Sequence, residues 1–250
     1  RLLLCVICLL PPGAQAGGIV GGREARPHSR PYMALVNLVK ERKAHGICGG
    51  FLIQEDVVLT AAHCNCDVGN LTVLLGAHNV SRKEQGTQEI GVRRRIPHPK
   101  FIDATLENDL MLLQLQRQAE LTTAVGTIAL SGNKVKRGAV CSVAGWGQTN
   151  FKINGSTSPT LQEVDLTVMN RNMCLSCNYL PFVPSRMLCV GDPEGRKTPF
   201  LGDSGGPLVC DGKAQGIVSY GSANGSTPSV FTKLSKYLCW IQKTQHHLAP

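Results

Sequence analysis

Gly202-Asp203-Ser204-Gly205-Gly206-Pro207 stands late in the chain, preceded in order by Thr60-Ala61-Ala62-His63-Cys64 and Asn108-Asp109-Leu110. A serine hydroxyl does not ionise unaided. A serine nucleophile therefore needs an imidazole to take its proton and a carboxylate to hold that imidazole in one tautomer. The three strings supply all of these side chains. An isolated Ser, His or Asp is more often structural than catalytic, so the signal lies in their joint occurrence. The glycines around Ser204 permit a tight turn that aims the N–H groups of Gly202 and Ser204 at one point, where they would stabilise an oxyanion. Chain order bears on fold as well, because the same Ser-His-Asp geometry recurs on unrelated folds in other orders.

Outward from these strings, short β-rich runs bounded by turn residues recur: Met33 to Val39, Gly50 to Ile53, Val57 to Thr60, Leu71 to Leu75, Leu110 to Leu115, Ala139 to Ala144, Pro207 to Cys210 and Gly216 to Tyr220. Such spacing predicts an all-β barrel architecture rather than alternating βαβ units. Only the end, Leu234 to Gln245, reads as helix. No short internal repeat is evident.

The order His63, Asp109, Ser204 resembles the chymotrypsin family, and Ile19-Val20-Gly21-Gly22 stands where that family begins its mature chain. Pro27-His28-Ser29-Arg30-Pro31-Tyr32-Met33-Ala34 and Cys141-Ser142-Val143-Ala144-Gly145-Trp146-Gly147 narrow the resemblance to the granzyme, mast-cell chymase and cathepsin G branch. It runs from about Ile19 to the C-terminal helix. It implies a trypsin-like fold of two six-stranded antiparallel barrels, residues 19–126 and 127–233, with a helix and tail at 234–250. Ser204 would be the nucleophile, His63 general base and then acid, and Asp109 the group that orients His63. Asp203 would pair with the α-ammonium of a chain starting at Ile19, drawing the oxyanion loop and pocket into shape.

Length and composition agree with a folded secretory-pathway protein. The chain has 250 residues, 42% of them hydrophobic, enough for a substantial core in one or two domains. Residues 2–10 form an apolar run after Arg1 and before Ala14-Gln15-Ala16, which reads as a signal peptide over 1–16, truncated at its start. No run approaches the length of a bilayer span. Gly17 and Gly18 then separate this segment from Ile19, and a two-residue activation peptide without Arg or Lys resembles the arrangement trimmed by a dipeptidyl peptidase. The branch implies a leukocyte-type secretory granule or the extracellular space.

Of eleven cysteines, Cys5 and Cys8 fall in the signal segment, leaving nine, an odd number. The resemblance pairs Cys48 with Cys64, Cys141 with Cys210 and Cys174 with Cys189. Cys66, Cys177 and Cys239 remain, at least one of them unpaired or intermolecular. Cys174-Leu175-Ser176-Cys177 spells a CxxC, which in a secreted chain carries little redox meaning. No cluster has zinc-site spacing, and no cofactor is implied. Sequons at Asn70, Asn79, Asn154 and Asn224 fit surface loops and glycosylation.

The formal net charge is +9, with basic residues bunched at Lys40 to Lys43, Arg93-Arg94-Arg95 and Lys134 to Arg137. An ordinary solvated cationic surface would look the same. Storage with acidic proteoglycan such as heparin also suits that charge, whereas nucleic acid does not, since no aromatic interleaving accompanies it.

Substrate choice is read where the chain departs from its relatives. Trypsin-like members carry Asp at the pocket base, six residues before the nucleophile; here Thr198 stands there. The opposite selective position, charged in some members of the branch, is Ser229. Phe200 replaces a pocket cysteine, and no Cys occurs between Cys210 and Cys239. Together with Ser219, Tyr220 and Gly221, these residues outline a roomy neutral pocket. It predicts cleavage of protein substrates after Phe, Tyr, Leu or Met, the Asn224 sequon lying near its rim. The competing expectation is a catalytically silent cationic homologue that binds glycosaminoglycan or microbes.

Overall fold

The computed structural model describes residues 19–248 apart from 41–42, 66–68, 152–154, 178–179 and 223. The expected signal segment 1–16, the dipeptide Gly17-Gly18, Cys66 and Asn154 lie outside the described residues.

After a two-residue strand β1 (Arg23–Glu24), six strands close one barrel: β2 (Met33–Lys40), β3 (Lys43–Gln54), β4 (Val57–Thr60), β5 (Asn70–Leu75), β6 (Gln88–Pro97) and β7 (Met111–Leu115). They close in the order β2-β3-β4-β7-β6-β5, every pairing antiparallel. The second barrel holds β8 (Val140–Gly145), β9 (Gln162–Val168), β10 (Met187–Gly191), β11 (Pro207–Cys210), β12 (Lys213–Tyr220) and β13 (Ser229–Lys233). Its order is β9-β10-β13-β12-β11-β8, the β8–β9 pairing closes it, and β1 adds to β9. A short helix α1 (Arg171–Leu175) precedes β10, and α2 (Leu238–Leu248) follows a 3-10 turn at Leu234–Lys236.

Side-chain periodicity explains both interiors. Along β5, Leu71, Val73 and Leu75 are buried while the residues between them are not, the period of two expected of a strand with one face in a core. β4 and β7 are buried at every position. The first core gathers Val36, Phe51, Leu59, Val73 and Leu112; the second gathers Val143, Leu166, Val190, Leu208 and Phe231. Ile19 is fully buried in that second cluster.

Several strands lie where no β-rich run was read. β6 contains Arg93-Arg94-Arg95, and its ladder shifts register between Val92 and Arg94, so charge masks a strand whose outer face is wet. β9 alternates buried and less buried residues through Gln162-Glu163-Val164-Asp165-Leu166-Thr167-Val168, and its polar half hid it. β10 and β13 were also unread, β3 begins at Lys43 rather than Gly50, and β12 begins at Lys213. The helix expected from Leu234 is interrupted at Tyr237 and becomes α-helical only from Leu238. The buried Tyr237 side chain holds that corner, its hydroxyl donating to Asn108 Oδ1 at 3.1 Å.

The disulfides are Cys48–Cys64, Cys141–Cys210 and Cys174–Cys189, the pairs the resemblance implies. Among the described residues Cys177 and Cys239 are free thiols. No described helix is long and apolar enough to cross a membrane.

Candidate functional site

The ends of both barrels place the three strings together. β4 runs into a 3-10 turn, Ala62–Cys64, that presents His63, and the Cys48–Cys64 bridge ties this turn to β3. Asp109 lies just before β7 and Ser204 just before β11. The Ser204 loop leans on the first barrel: the Gly49 N–H donates to the Ser204 carbonyl at 2.7 Å. Gly205 sits at φ +86°, and a Cβ there would overlap Thr60 Oγ1 and the Gly49 carbonyl. Only glycine meets both demands.

Asp109 is fully buried, and an ionised carboxylate in that position needs donors. Its Oδ1 accepts from the His63 backbone N–H at 2.9 Å. Its Oδ2 accepts from His63 Nδ1 at 2.7 Å and from Ser219 Oγ at 2.5 Å. With Nδ1 as donor, Nε2 keeps its lone pair for a proton. Burial by itself lowers the His63 pKa, but the hydrogen bond and charge of Asp109 outweigh it, with a smaller push from Asp103, so the imidazole titrates above its ordinary 6.5. The backbone around Asp109 is pinned as well. Thr232 Oγ1 donates to the Asp109 carbonyl at 2.8 Å, and Asn108, at φ +56°, donates from Nδ2 to the Lys100 carbonyl at 2.6 Å.

His63 and Ser204 line one cavity of about 370 Å³, with no hydrogen bond between their side chains, a spacing common before substrate binds. Gly202 has φ +98°. Among the described residues, the Gly202 and Ser204 N–H groups are not hydrogen-bonded to backbone carbonyls. Asp203 between them is fully buried and accepts from the N–H groups of Gly147 at 2.8 Å and Phe200 at 2.9 Å. Burial dominates over these two donors and pushes its carboxyl up to about 7. No cation pairs with it among the described residues.

Phe200, Tyr220, Gly221 and Ser229 line the same cavity, and no Asp, Glu, Lys or Arg among the described residues does. Thr198 lies behind this wall, 3% exposed, its Oγ1 2.9 Å from Ser229 Oγ. A Cβ at Gly221 would stand 3.0 Å from Ser229 Oγ, so glycine keeps that side open. Tyr220 donates its hydroxyl to the Pro181 carbonyl at 2.7 Å, and burial pushes its phenol above the ordinary 10.0. Ser219, read as a pocket residue, lines the cavity but spends its hydroxyl on Asp109.

Other expected residues are placed differently. Asn79 is buried at 8% exposure with its Oδ1 taken by Ser81, which corrects its reading as a surface-loop sequon: it begins a turn packed against Thr160. Asn70 is exposed as the first residue of β5, a strand rather than a loop. Asn224 is exposed, its Oδ1 accepting from Ser222 Oγ and the Ser226 N–H. In the basic run, Arg93 and Arg94 are exposed, whereas Arg95 reaches the Gly69 carbonyl and Asn65. Thr232, Tyr237 and Asn108 were not read as site residues. Phe151 was missed too; it packs edge-to-face on Phe200 at 5.2 Å, and no local motif marks it.

A family model described as Trypsin matches residues 19–241. The chain is 53% identical over 245 residues to mast cell protease 3 of Ovis aries, spanning 97% of this chain and 95% of that protein. It is 52% identical over 245 residues to granzyme B of Homo sapiens, spanning 97% of each. A solved structure titled "Structure of GrC" superposes with a TM-score of 0.84 at 45% identity, over 92% of this chain and 100% of that one.

Proposed function

The chain belongs to the trypsin family of serine endopeptidases, and from that premise we propose that Ser204, His63 and Asp109 are its catalytic residues, acting through an acyl-enzyme. The observation that carries this reading is the buried Asp109 carboxylate holding His63 Nδ1 at 2.7 Å while His63 and Ser204 share one cavity. Ser204 Oγ attacks the scissile carbonyl carbon as His63 Nε2 takes its proton. The oxyanion forms against the N–H groups of Gly202 and Ser204, each worth about 3–4 kcal/mol in measured cases. His63, now protonated, gives its proton to the leaving amine as the C–N bond breaks, and the acyl group remains as an ester on Ser204. Water, deprotonated by His63, then attacks that ester, and Ser204 recovers its proton as the acid departs.

Substrate preference follows from a wall with no fixed charge. An Arg or Lys side chain at P1, the residue on the acyl side of the scissile bond, would be buried without an anion, and an Asp or Glu without a cation, whereas apolar area gains about 25 cal/mol per Å². Phe, Tyr, Leu and Met are the P1 residues this pocket favours.

Activation is the further part of the reading. Removal of Gly17 and Gly18 by a dipeptidyl peptidase frees the Ile19 ammonium, which pairs with Asp203. Close identity to a mast cell protease and a granzyme supports storage in a secretory granule and release from it. The net charge of +9 supports retention there by acidic proteoglycan such as heparin.

The test is covalent and kinetic. A fluorophosphonate probe should label the Ile19-starting chain at Ser204, and Ser204→Ala or His63→Ala should lower peptide turnover by several orders of magnitude, the thermal melt staying unchanged for Ser204→Ala and falling for His63→Ala, which takes a donor from the buried Asp109 carboxylate. Full turnover by either variant overturns the assignment.

A further inference from the structure

The hydroxyls of Thr198 and Ser229 form a chain whose proton directions can be counted. A serine or threonine hydroxyl has one proton and two lone pairs, and a carbonyl oxygen only accepts. Thr198 Oγ1 contacts the Pro199 carbonyl at 3.1 Å, so its single proton is spent there. The 2.9 Å contact between Thr198 Oγ1 and Ser229 Oγ then requires the Ser229 proton. Nothing is left on Ser229 Oγ to donate. What remains is a lone pair on a side chain that lines the cavity and is only 2% exposed.

We propose that Ser229 presents the pocket with a hydrogen-bond acceptor and no donor, and that this selects tyrosine over phenylalanine at P1. The proposal rests on the apolar-pocket reading above and sharpens it. A phenyl ring that fills the cavity excludes water and leaves the Ser229 lone pair unpartnered. A phenol brings the missing proton. An Asp or Glu carboxylate, which only accepts, would face that lone pair with no donor between them. A Lys or Arg could donate, but its charge would be buried with no anion on the cavity wall. Gly221 keeps the approach to Ser229 Oγ clear, since a Cβ there would stand 3.0 Å from it. The size of the preference is that of one neutral hydrogen bond, roughly two- to ten-fold in rate.

The experiment compares kcat/KM for peptide substrates identical except at P1, carrying Phe, Tyr, 4-aminophenylalanine or Leu, on the Ile19-starting enzyme and on Ser229→Ala. The wild type should cleave after Tyr and 4-aminophenylalanine about two- to ten-fold better than after Phe. Ser229→Ala should bring all three aromatic substrates together while still cleaving after Leu, which shows that the variant is folded and competent. A Tyr-to-Phe ratio of one or less in the wild type overturns the proposal and leaves the apolar pocket standing. So does a preference that survives in Ser229→Ala. Failure to cleave after any of the four residues removes the apolar-pocket reading itself, and the tyrosine preference with it.

Discussion

His63 shows how one side chain's surroundings set the working pH. Burial alone would make the imidazole harder to protonate, and Asp109 reverses that direction. General-base action needs the neutral ring, so kcat/KM should rise with pH along a limb centred above the ordinary 6.5. Asp109→Asn should move that limb below 6.5, because the burial effect then dominates, and should lower kcat by about 10⁴-fold. A pH–rate profile of both forms checks the pair of shifts. The sign for stability follows from the same raised value. The pairing of the His63 imidazolium with Asp109 stabilises the fold below the unfolded pKa of the imidazole, and this contribution is lost as pH rises through the folded one.

The Ser204 loop, rather than any one residue, carries the activation argument. Asp203 is fully buried with two N–H donors and no described cation, and its carboxyl titrates at about 7 against an ordinary 3.8. Because the folded value is raised, the neutral acid is the favoured form up to about pH 7. Stability is full below about 4 and is lost as pH rises to about 7, by on the order of 4 kcal/mol. In a chain extended by Gly17-Gly18, Asp203→Asn should therefore flatten the fall in melting temperature between pH 4.5 and 8. In the Ile19-starting chain the same substitution should abolish most activity, since the buried ammonium loses its charged partner. Thermal melts against pH for the two lengths, with and without the substitution, test this; parallel curves in the extended chain would refute it.

Across the molecule, two barrels meet at residues each could not hold alone. Ser219 and Thr232 in the second barrel hold Asp109 in the first, and Glu107 meets Arg186 at 2.6 Å across the same seam. The surface is governed by a net charge of +9. If that charge serves heparin binding, the exposed Arg93 and Arg94 should matter most. The double variant Arg93→Ala, Arg94→Ala should elute from heparin at clearly lower salt, and Arg95→Ala should shift elution least, because its guanidinium is occupied by Gly69 and Asn65. Equal shifts for all positions, or none, would remove this surface from consideration.

The His63, Asp109 and Ser204 strings, the glycines that turn the Ser204 loop, the apolar runs of β2 and β4 and the alternation of β5 were legible in the sequence, because each is a local pattern of residue type and spacing. β6 and β9 were not, since charge and polar alternation on a wet outer face dilute the strand signal. The convergence on Asp109 could not be read at all. Ser219 lies 110 residues from Asp109, Thr232 lies 123 from it, and Tyr237 lies 129 from Asn108. Nothing in the neighbourhood of these residues names their partners. The meeting of the Thr198 and Ser229 hydroxyls is likewise decided only by where β13 begins relative to the Thr198–Pro199 backbone. The chemistry was written in side-chain types along the chain. Which hydroxyl satisfies which buried acceptor depends on barrel closure, where residues far apart in sequence are forced to pay each other's desolvation.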